Sequence, residues 1–334
     1  MKVSVCIVTY NQGRFIGKAI ESALAQQVSF PFEILVGDDF STDDTRTVVQ
    51  AYADRYPELV KPVFHPHNLG QNGLFNAIET YRQARGEYIA SFDGDDYWTD
   101  PLKLQKQVDF LDAHPDFVAC YHNALITYED GSPSHVLNPP NQAPVTTIDD
   151  LIGEEEIWFM ATSSVLFRHV LHTYPDWFMR SVSGDIPRYV LLAKHGKIGY
   201  LPDVMSVYRK NRGGTSFTDK YTDARFLRNR IDMYEGINQS TDYRYDRSLK
   251  RNIARYYRMM LDSDQYRDRH YPRSLLALKY LWLARPEPSE RRDVIRDYVV
   301  PPPLMKLYSA VALSAYRLKS ALTGKRGKTD VVNK

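Results

Sequence analysis

Two stretches, Ile34-Leu35-Val36-Gly37-Asp38-Asp39-Phe40-Ser41-Thr42-Asp43-Asp44-Thr45 and Tyr88-Ile89-Ala90-Ser91-Phe92-Asp93-Gly94-Asp95-Asp96-Tyr97-Trp98, share one plan: an apolar run that ends in carboxylates. Such a run reads as a buried parallel strand whose carboxyl end opens into a site. Two such ends in one α/β sheet place several carboxylates around one crevice. Carboxylates that close repel one another unless a cation or bound donors hold them, so the pattern points to a divalent metal and a phosphate-bearing ligand.

The surrounding sequence supports that frame. Val3–Thr9 reads as a strand, and Phe15, Ile16, Ala19, Ile20, Ala23 and Leu24 follow at helical spacing. Phe32 to Val36 is the next strand. Asp43 or Asp44 can cap a helix that Pro57 ends. A short strand follows over Val60–Phe64, then a loop and helix from Gly70 to Arg85, then the strand that reaches the second acidic cluster. Further on, a helix over Leu102 to Ala113, strands over 117–128 and Trp158 to Phe167, and a helix over Ile186 to His195 are expected. A short strand over Ile198 to Leu201 closes the series, and Val204 to Tyr208 leads into the basic, Gly-containing loop from Arg209 to Ser216. Asp130 to Ala143, rich in Gly, Ser, Pro and Asn, is expected as a loop. Strands alternating with helices specify an α/β sandwich with a mostly parallel sheet.

Past about Ser216 strand patterns vanish, and Arg- and Tyr-rich helical stretches take over. After Pro301-Pro302-Pro303, the residues Leu304, Leu307, Tyr308, Val311, Ala315, Leu318 and Leu322 fall on one helical face, with Lys306, Arg317, Lys319, Lys325, Arg326 and Lys328 around it. This tail either docks as an ordinary amphipathic helix or lies on an anionic membrane surface.

Composition sets bounds. The 334 residues are 43% hydrophobic and 25% charged, an ordinary globular balance. A formal net charge of +2 gives no reason to expect nucleic acid as a partner. The two cysteines, Cys6 and Cys120, sit in strand-like apolar runs and read as small buried hydrophobes, which favours a reducing compartment. The opening apolar run is too short for a signal peptide, and no stretch approaches the ~18 apolar residues of a membrane span. These features predict a cytoplasmic protein, with the tail as a candidate contact to the inner face of the membrane. Tyrosines are plentiful, 24 in all, and many lie in the helical region, where they could form a dimer surface.

Four segments in order give the first ~215 residues a resemblance to the family 2 glycosyltransferases of GT-A fold. They are Val8-Thr9-Tyr10-Asn11-Gln12, the motif Asp38-Asp39-x-Ser41-x-Asp43-x-Thr45, the motif Asp93-x-Asp95-Asp96, and Ser183-Gly184-Asp185 with Met205-Ser206-Val207-Tyr208-Arg209 and Gly213-Gly214. The resemblance implies a Rossmann-like three-layer sandwich over residues 1–215, followed by a helical C-terminal region over 216–334. It implies an inverting, metal-dependent transferase that moves a sugar from a nucleotide-sugar, UDP-linked by preference, to a saccharide or lipid-linked acceptor in surface polysaccharide synthesis.

Roles follow by that resemblance. Thr9, Tyr10, Asn11, Asp38, Asp39, Asp93, Gly94 and Arg209 are expected around the donor nucleotide, with Asp39 accepting from the base. Asp95 is expected on Mn²⁺ or Mg²⁺, since hard oxygen ligands suit these ions. Asp185 is the candidate general base, its alternative being a helix N-cap. Asp96, Trp98, Trp158, Ser163 and Ser164 are candidate acceptor or donor contacts; for the tryptophans and serines, core packing is the competing reading. Arg209 and the loop to Ser216 either close over the diphosphate or form a solvated basic turn. Two other classes stay open: a sugar nucleotidyltransferase, whose Gly-rich, Arg-bearing loop is only sparsely matched by Asn11-Gln12-Gly13-Arg14, and a non-catalytic nucleotide-sugar-binding module.

Overall fold

The computed structural model describes residues 1–152, 159–182, 184–210, 223–301, 303–304, 311 and 314–315. Its strands are β1 (Val3–Thr9), β2 (Phe32–Asp38), β3 (Val60–Phe64), β4 (Tyr88–Asp93), β5 (Tyr97–Trp98), β6 (Phe117–Tyr128), β7 (His135–Val136), β8 (Val145–Thr146), β9 (Leu166–Arg168) and β10 (Lys197–Lys210). The main helices of the sheet region are α1 (Gly13–Leu24), α2 (Thr45–Arg55), α3 (Leu74–Gln83) and α4 (Lys103–Ala113). After them come the short α5 (Ile148–Leu151) and α6 (Asp176–Met179), then α7 (Asp185–Ala193). The long helices α8 (Ala224–Ser240), α9 (Asp246–Met260) and α10 (His270–Ala284) and the short α11 (Pro288–Val294) complete the series.

All ten strands join one sheet of order β3-β2-β1-β4-β9-β6-β10-β5, with β7 on β6 and β8 on β10. Strands β3, β2, β1 and β4 are parallel, and β9 runs antiparallel between β4 and β6. Side chains alternate across this sheet with period two. Val3, Val5 and Ile7 of β1 join Ile34 and Val36 in the core under α1, α2 and α4. Cys6 and Leu35 face the other way and pack with Leu74, Ala77 and Ile78 of α3 and Leu192 of α7. Both faces are therefore covered, which is why the strands read as near-continuous apolar runs.

The topology also places the site. The chain builds β1, β2 and β3 outward in one direction, then crosses back to lay β4 on the far side of β1. Strand order thus reverses between β1 and β4, the kind of point where α/β sheets bind ligands outside their carboxyl ends. The register sets Thr9 opposite Asp38 and Val8 opposite Asp93, so both acidic clusters leave the sheet at the same edge as the end of β1.

Three expectations are corrected. The strand predicted over Trp158 to Phe167 is shorter: Thr162–Ser164 is a single 3₁₀ turn, and only Leu166–Arg168 pairs as β9. The strand predicted over Ile198 to Leu201 is longer: one bulged strand, β10, runs on and reaches Lys210 along β6. The Asp130 to Ala143 stretch, expected as a loop, contributes the two-residue β7 to the edge of β6.

The chain divides into two compact units. One comprises Met1–Lys220 and Arg228–Asn252; the other comprises Tyr221–Leu227 and Ile253–Lys334. Within the second, Asp262 gathers Arg258, Arg273 and the Tyr298 hydroxyl, which pins the segment after α11 to α10. Most of the predicted tail helix over 304–322 lies outside the described residues; Leu304 and Val311 are exposed. Among the described residues no helix is long and apolar enough to cross a membrane.

Candidate active site

The end of β1 is tied to the end of β2 before any ligand enters. Asn11 adopts a left-handed backbone, φ 52°, and its Oδ1 accepts from the Thr42 N–H at 2.8 Å while its own N–H donates to Ser41 Oγ at 2.8 Å. Asparagine tolerates that conformation better than most side chains. Thr9 Oγ donates to Gln12 Oε1 at 2.9 Å. The side chain that caps α2 is Asp43, whose Oδ1 accepts from the Thr45 N–H and whose Oδ2 accepts from the Gly13 N–H, both at 3.0 Å. Asp44, the residue preceding the helix, makes no such bond.

Asp38 is fully buried at the tip of β2. Its Oδ2 accepts from Arg46 Nε and from the Ser41 N–H, and its Oδ1 has no protein partner. Arg46 also reaches the His65 carbonyl, bracing β2 against the loop after β3. Asp39 is buried too, and its Oδ1 accepts from the Leu69 N–H at 2.7 Å. Tyr10, by contrast, stands 48% exposed beside this edge and remains available to a flat ligand.

The second cluster is more tightly charged. Asp95 and Asp96 are buried and Asp93 keeps partial exposure. Burial, then the Asp95 and Asp185 carboxylates, push Asp93 up to about 8, and Arg188 opposes them. Burial, then Asp95 and Asp93, raise Asp96 well above the ordinary carboxylate range. Its Oδ1 accepts from the Arg209 N–H at 2.9 Å, and its Oδ2 has no partner. Tyr208, one residue earlier on β10, is raised by burial and then by Asp96, Asp93, Asp185 and Asp95 together. Four carboxylates from two distant parts of the chain thus act on one phenol.

Gly94 was expected to let a ligand approach the backbone. The crowding there comes from the protein: a Cβ at Gly94 would lie 2.7 Å from Gln12 Oε1 and 2.9 Å from Thr9 Oγ. Glycine is needed so that the acidic turn can pack against the end of β1.

Asp185 opens α7, but it is not the N-cap. Gly184 holds that position, and the Asp185 carboxylate turns one helical turn along to Arg188 Nη2 at 2.9 Å. Arg209, expected over a diphosphate, lays its guanidinium 4.7 Å from the Tyr97 ring centroid and 5.0 Å from that of Phe15. The loop from Asn211 to Ser216 lies outside the described residues, as do Trp158 and Ser183.

Trp98, Ser163 and Ser164 belong to the interior rather than to a ligand surface. The Trp98 indole donates to the Ser163 carbonyl at 2.9 Å and packs on Phe92. Ser163 and Ser164 are fully buried; Ser163 Oγ donates to Ser206 Oγ and Ser164 Oγ to the Ala161 carbonyl. His67 is exposed on the loop after β3. Two residues with no assigned role by sequence, Arg188 and Tyr208, prove central. The spacing of Arg188 three residues after Asp185 was the available signal, because such pairs meet on a helix.

A doubly covered α/β sheet with carboxylates clustered at its switch point is an architecture of the GT-A, Rossmann-like type. Residues 4–183 match the family described as Glycosyl transferase family 2, more than half of the chain, and the chain belongs to that family. An uncharacterized protein of Mycobacterium tuberculosis, Rv1520, is 37% identical over 223 residues, 67% of this chain and 62% of that protein. The chain therefore spans less than two thirds of the length of the mycobacterial relatives it matches. An uncharacterized glycosyltransferase of Nostoc sp. is 36% identical over 172 residues, 50% of this chain and 51% of its own length. Among solved structures, residues 1–349 of TarS from S. aureus superpose with a TM-score of 0.59 at 18% identity, covering 100% of this chain and 95% of that one. The mannosyltransferase PcManGT from Pyrobaculum calidifontis, in complex with GDP-Man and Mn²⁺, gives 0.51 at 18% identity, with 97% and 83% covered. At that identity the likeness concerns the fold.

Proposed function

We propose that this chain is an inverting glycosyltransferase that moves a sugar from a UDP-linked donor to a hydroxyl of a saccharide or lipid-linked saccharide, with residues 1–215 carrying the chemistry. One observation carries the reading: the sheet register sets Thr9 opposite Asp38 and Val8 opposite Asp93, so both acidic clusters leave the sheet at one edge, at the point where strand order reverses.

The roles follow from position. Thr9, Tyr10, Asn11, Asp38 and Asp39 line the edge where a base and ribose would rest. Asp93 and Asp95 offer hard oxygen atoms, one at the end of β4 and the other on the turn after it. Mn²⁺ or Mg²⁺ fits such a donor set. Among the described residues no three metal-binding side chains are gathered to hold an ion. When bound, the ion would neutralise charge on the departing diphosphate.

Asp185 would accept the proton of the acceptor hydroxyl while that oxygen bonds to the anomeric carbon. The bond from that carbon to the diphosphate oxygen breaks as the new one forms, and its electron pair leaves with the nucleotide. A single displacement inverts the anomeric centre. A base needs only hydrogen-bond reach of the proton it takes, and the partly exposed Asp185 has access that the buried Asp96 lacks. The basic amphipathic tail pattern supports contact with an anionic membrane on the acceptor side, testable by sedimentation with phosphatidylglycerol vesicles.

The test is Asp185→Asn. UDP release from a UDP-sugar should fall by roughly 100-fold or more, with UDP binding in Mn²⁺ preserved. Full turnover in this variant would remove Asp185 from the mechanism.

A further inference from the structure

We infer that Arg188 is a positioning residue for this reaction: a buried guanidinium that holds the Asp185 carboxylate in place relative to the Asp93–Asp95 turn. The inference rests on the proposed role of Asp185 as base.

Arg188 is 5% exposed, on a helix face that otherwise packs into the apolar layer under the sheet. Burying a guanidinium is costly unless its donors are well used. Two of them are. Nη2 donates to Asp185 Oδ1 at 2.9 Å, and Nη1 donates to the Tyr81 hydroxyl at 2.8 Å. That hydroxyl donates in turn to Ser91 Oγ at 2.7 Å. Tyr81 is itself fixed in the core, edge-on to Phe167 with ring centroids 5.9 Å apart. The chain of bonds therefore runs from Asp185 on α7, through Tyr81 on α3, to Ser91 on β4, two residues before Asp93.

Stability of Asp185 does not explain this arrangement. Its side chain is 34% exposed at the start of a helix, where water and the helix dipole already favour a carboxylate. What the buried guanidinium adds is direction. The Asp185 carboxylate meets a donor that is itself anchored through a tyrosine to the strand that carries the donor-side carboxylates. Arg188 is buried and its two Nη atoms donate to Tyr81 and Asp185, so it acts through Asp185.

The test uses the full chain and the nucleotide-sugar it turns over fastest among UDP-glucose, UDP-galactose, UDP-N-acetylglucosamine and GDP-mannose, followed by nucleotide release with water as acceptor. Arg188→Met should lower kcat roughly 10- to 100-fold while donor KM stays within about twofold, because misplacing a reacting group by ~1 Å costs rate rather than ground-state binding. Arg188→Lys should recover part of the loss. Tyr81→Phe removes one hydroxyl from the interior and should lower kcat in the same direction; it carries the test should Arg188→Met fail to fold. The double variant Asp185→Asn with Arg188→Met should be no slower than Asp185→Asn alone, since both act on one step.

Arg188→Met or Tyr81→Phe with wild-type kcat, alongside an inactive Asp185→Asn, would overturn the positioning role and leave the base in place. Multiplicative losses in the double variant, or a raised KM at unchanged kcat, would overturn it as well by giving Arg188 a separate target. An active Asp185→Asn would instead bring down the base reading on which the inference rests.

Discussion

The backbone N–H of Arg209 donates to Oδ1 of Asp96 at 2.9 Å, joining residues 113 apart in sequence. The bond fastens the end of β10 to the acidic turn after β4. Asp96 is buried, burial and its acidic neighbours push its carboxyl well above the usual carboxylate range, and it accepts the Arg209 N–H through Oδ1. An amide keeps that acceptor without the charge. Asp96→Asn should therefore keep a melting temperature close to wild type and retain most activity, whereas Asp96→Ala should lower both, leaving the Arg209 N–H unpaired at a cost of about 1–3 kcal/mol. Thermal melts and nucleotide-release assays on the two variants decide it; equal damage from Asn and Ala would show that the carboxylate form is the one required.

Asp95 offers a direct probe of metal dependence. Asp95→Ala should remove the stimulation of transfer by Mn²⁺, a loss of roughly 100-fold in kcat, with the fold intact by circular dichroism. Titrating wild type with a chelator should reach the same floor. Turnover that survives both treatments would separate this chain from metal-assisted transfer.

Far from the site, Glu33 predicts how the fold meets acid. Its side chain is fully buried, with Ser4 Oγ donating at 2.8 Å, the Arg85 N–H at 3.0 Å and Arg85 Nε at 3.0 Å. Burial alone would raise its carboxyl, but these bonds outweigh it and hold the group at about 2, against an ordinary 4.5. A depressed value means the stabilisation is complete above about 4.5 and is lost as pH falls toward about 2. Glu33→Gln should melt several degrees lower at pH 7, at about 2–4 °C per kcal/mol for a domain of this size. It should also show a flatter dependence of melting temperature on pH across that window.

Lys103 predicts the opposite sign. Its Nζ is buried without a hydrogen-bond acceptor, 3.9 Å from the Trp98 ring centroid, and burial brings the amine down to about 7. Because the folded value lies below the ordinary 10.5, folding carries no proton cost above about 10.5; the cost grows as pH falls and levels off below about 7. Lys103→Met keeps the length of the side chain without the amine, so it should raise the melting temperature at pH 7 and lose that advantage at pH 10.5. A loss of stability at pH 7 would mean that the contact with Trp98 outweighs desolvation.

Much of this was legible in the chain itself. The apolar runs ending at Asp38 and Asp93 announce buried parallel strands because both faces of such strands are covered, and the turn residues between them leave little choice of topology. Thr162, Ser163 and Ser164 look like strand residues because they are small and follow apolar ones, yet they form a turn in which Ser164 Oγ donates to the Ala161 carbonyl and Ser163 Oγ to Ser206 Oγ. For Trp98 the competing reading of core packing fits its burial and its N–H bond to the Ser163 carbonyl. A local pattern cannot say which side of a ring faces the core.

Sequence alone determined the alternation of strands and helices, the family, and the residue types at each strand end, since these depend on periodicity and on motifs a few residues long. Tertiary structure decided which of those carboxylates meet. Asp185 gains its neighbours only when β4 crosses back beside β1 and α7 packs under the sheet. Arg188 gains its purpose only when Tyr81 and Ser91 are brought within hydrogen-bond distance. Interactions between charges depend on distance and burial, and neither exists until the chain has folded.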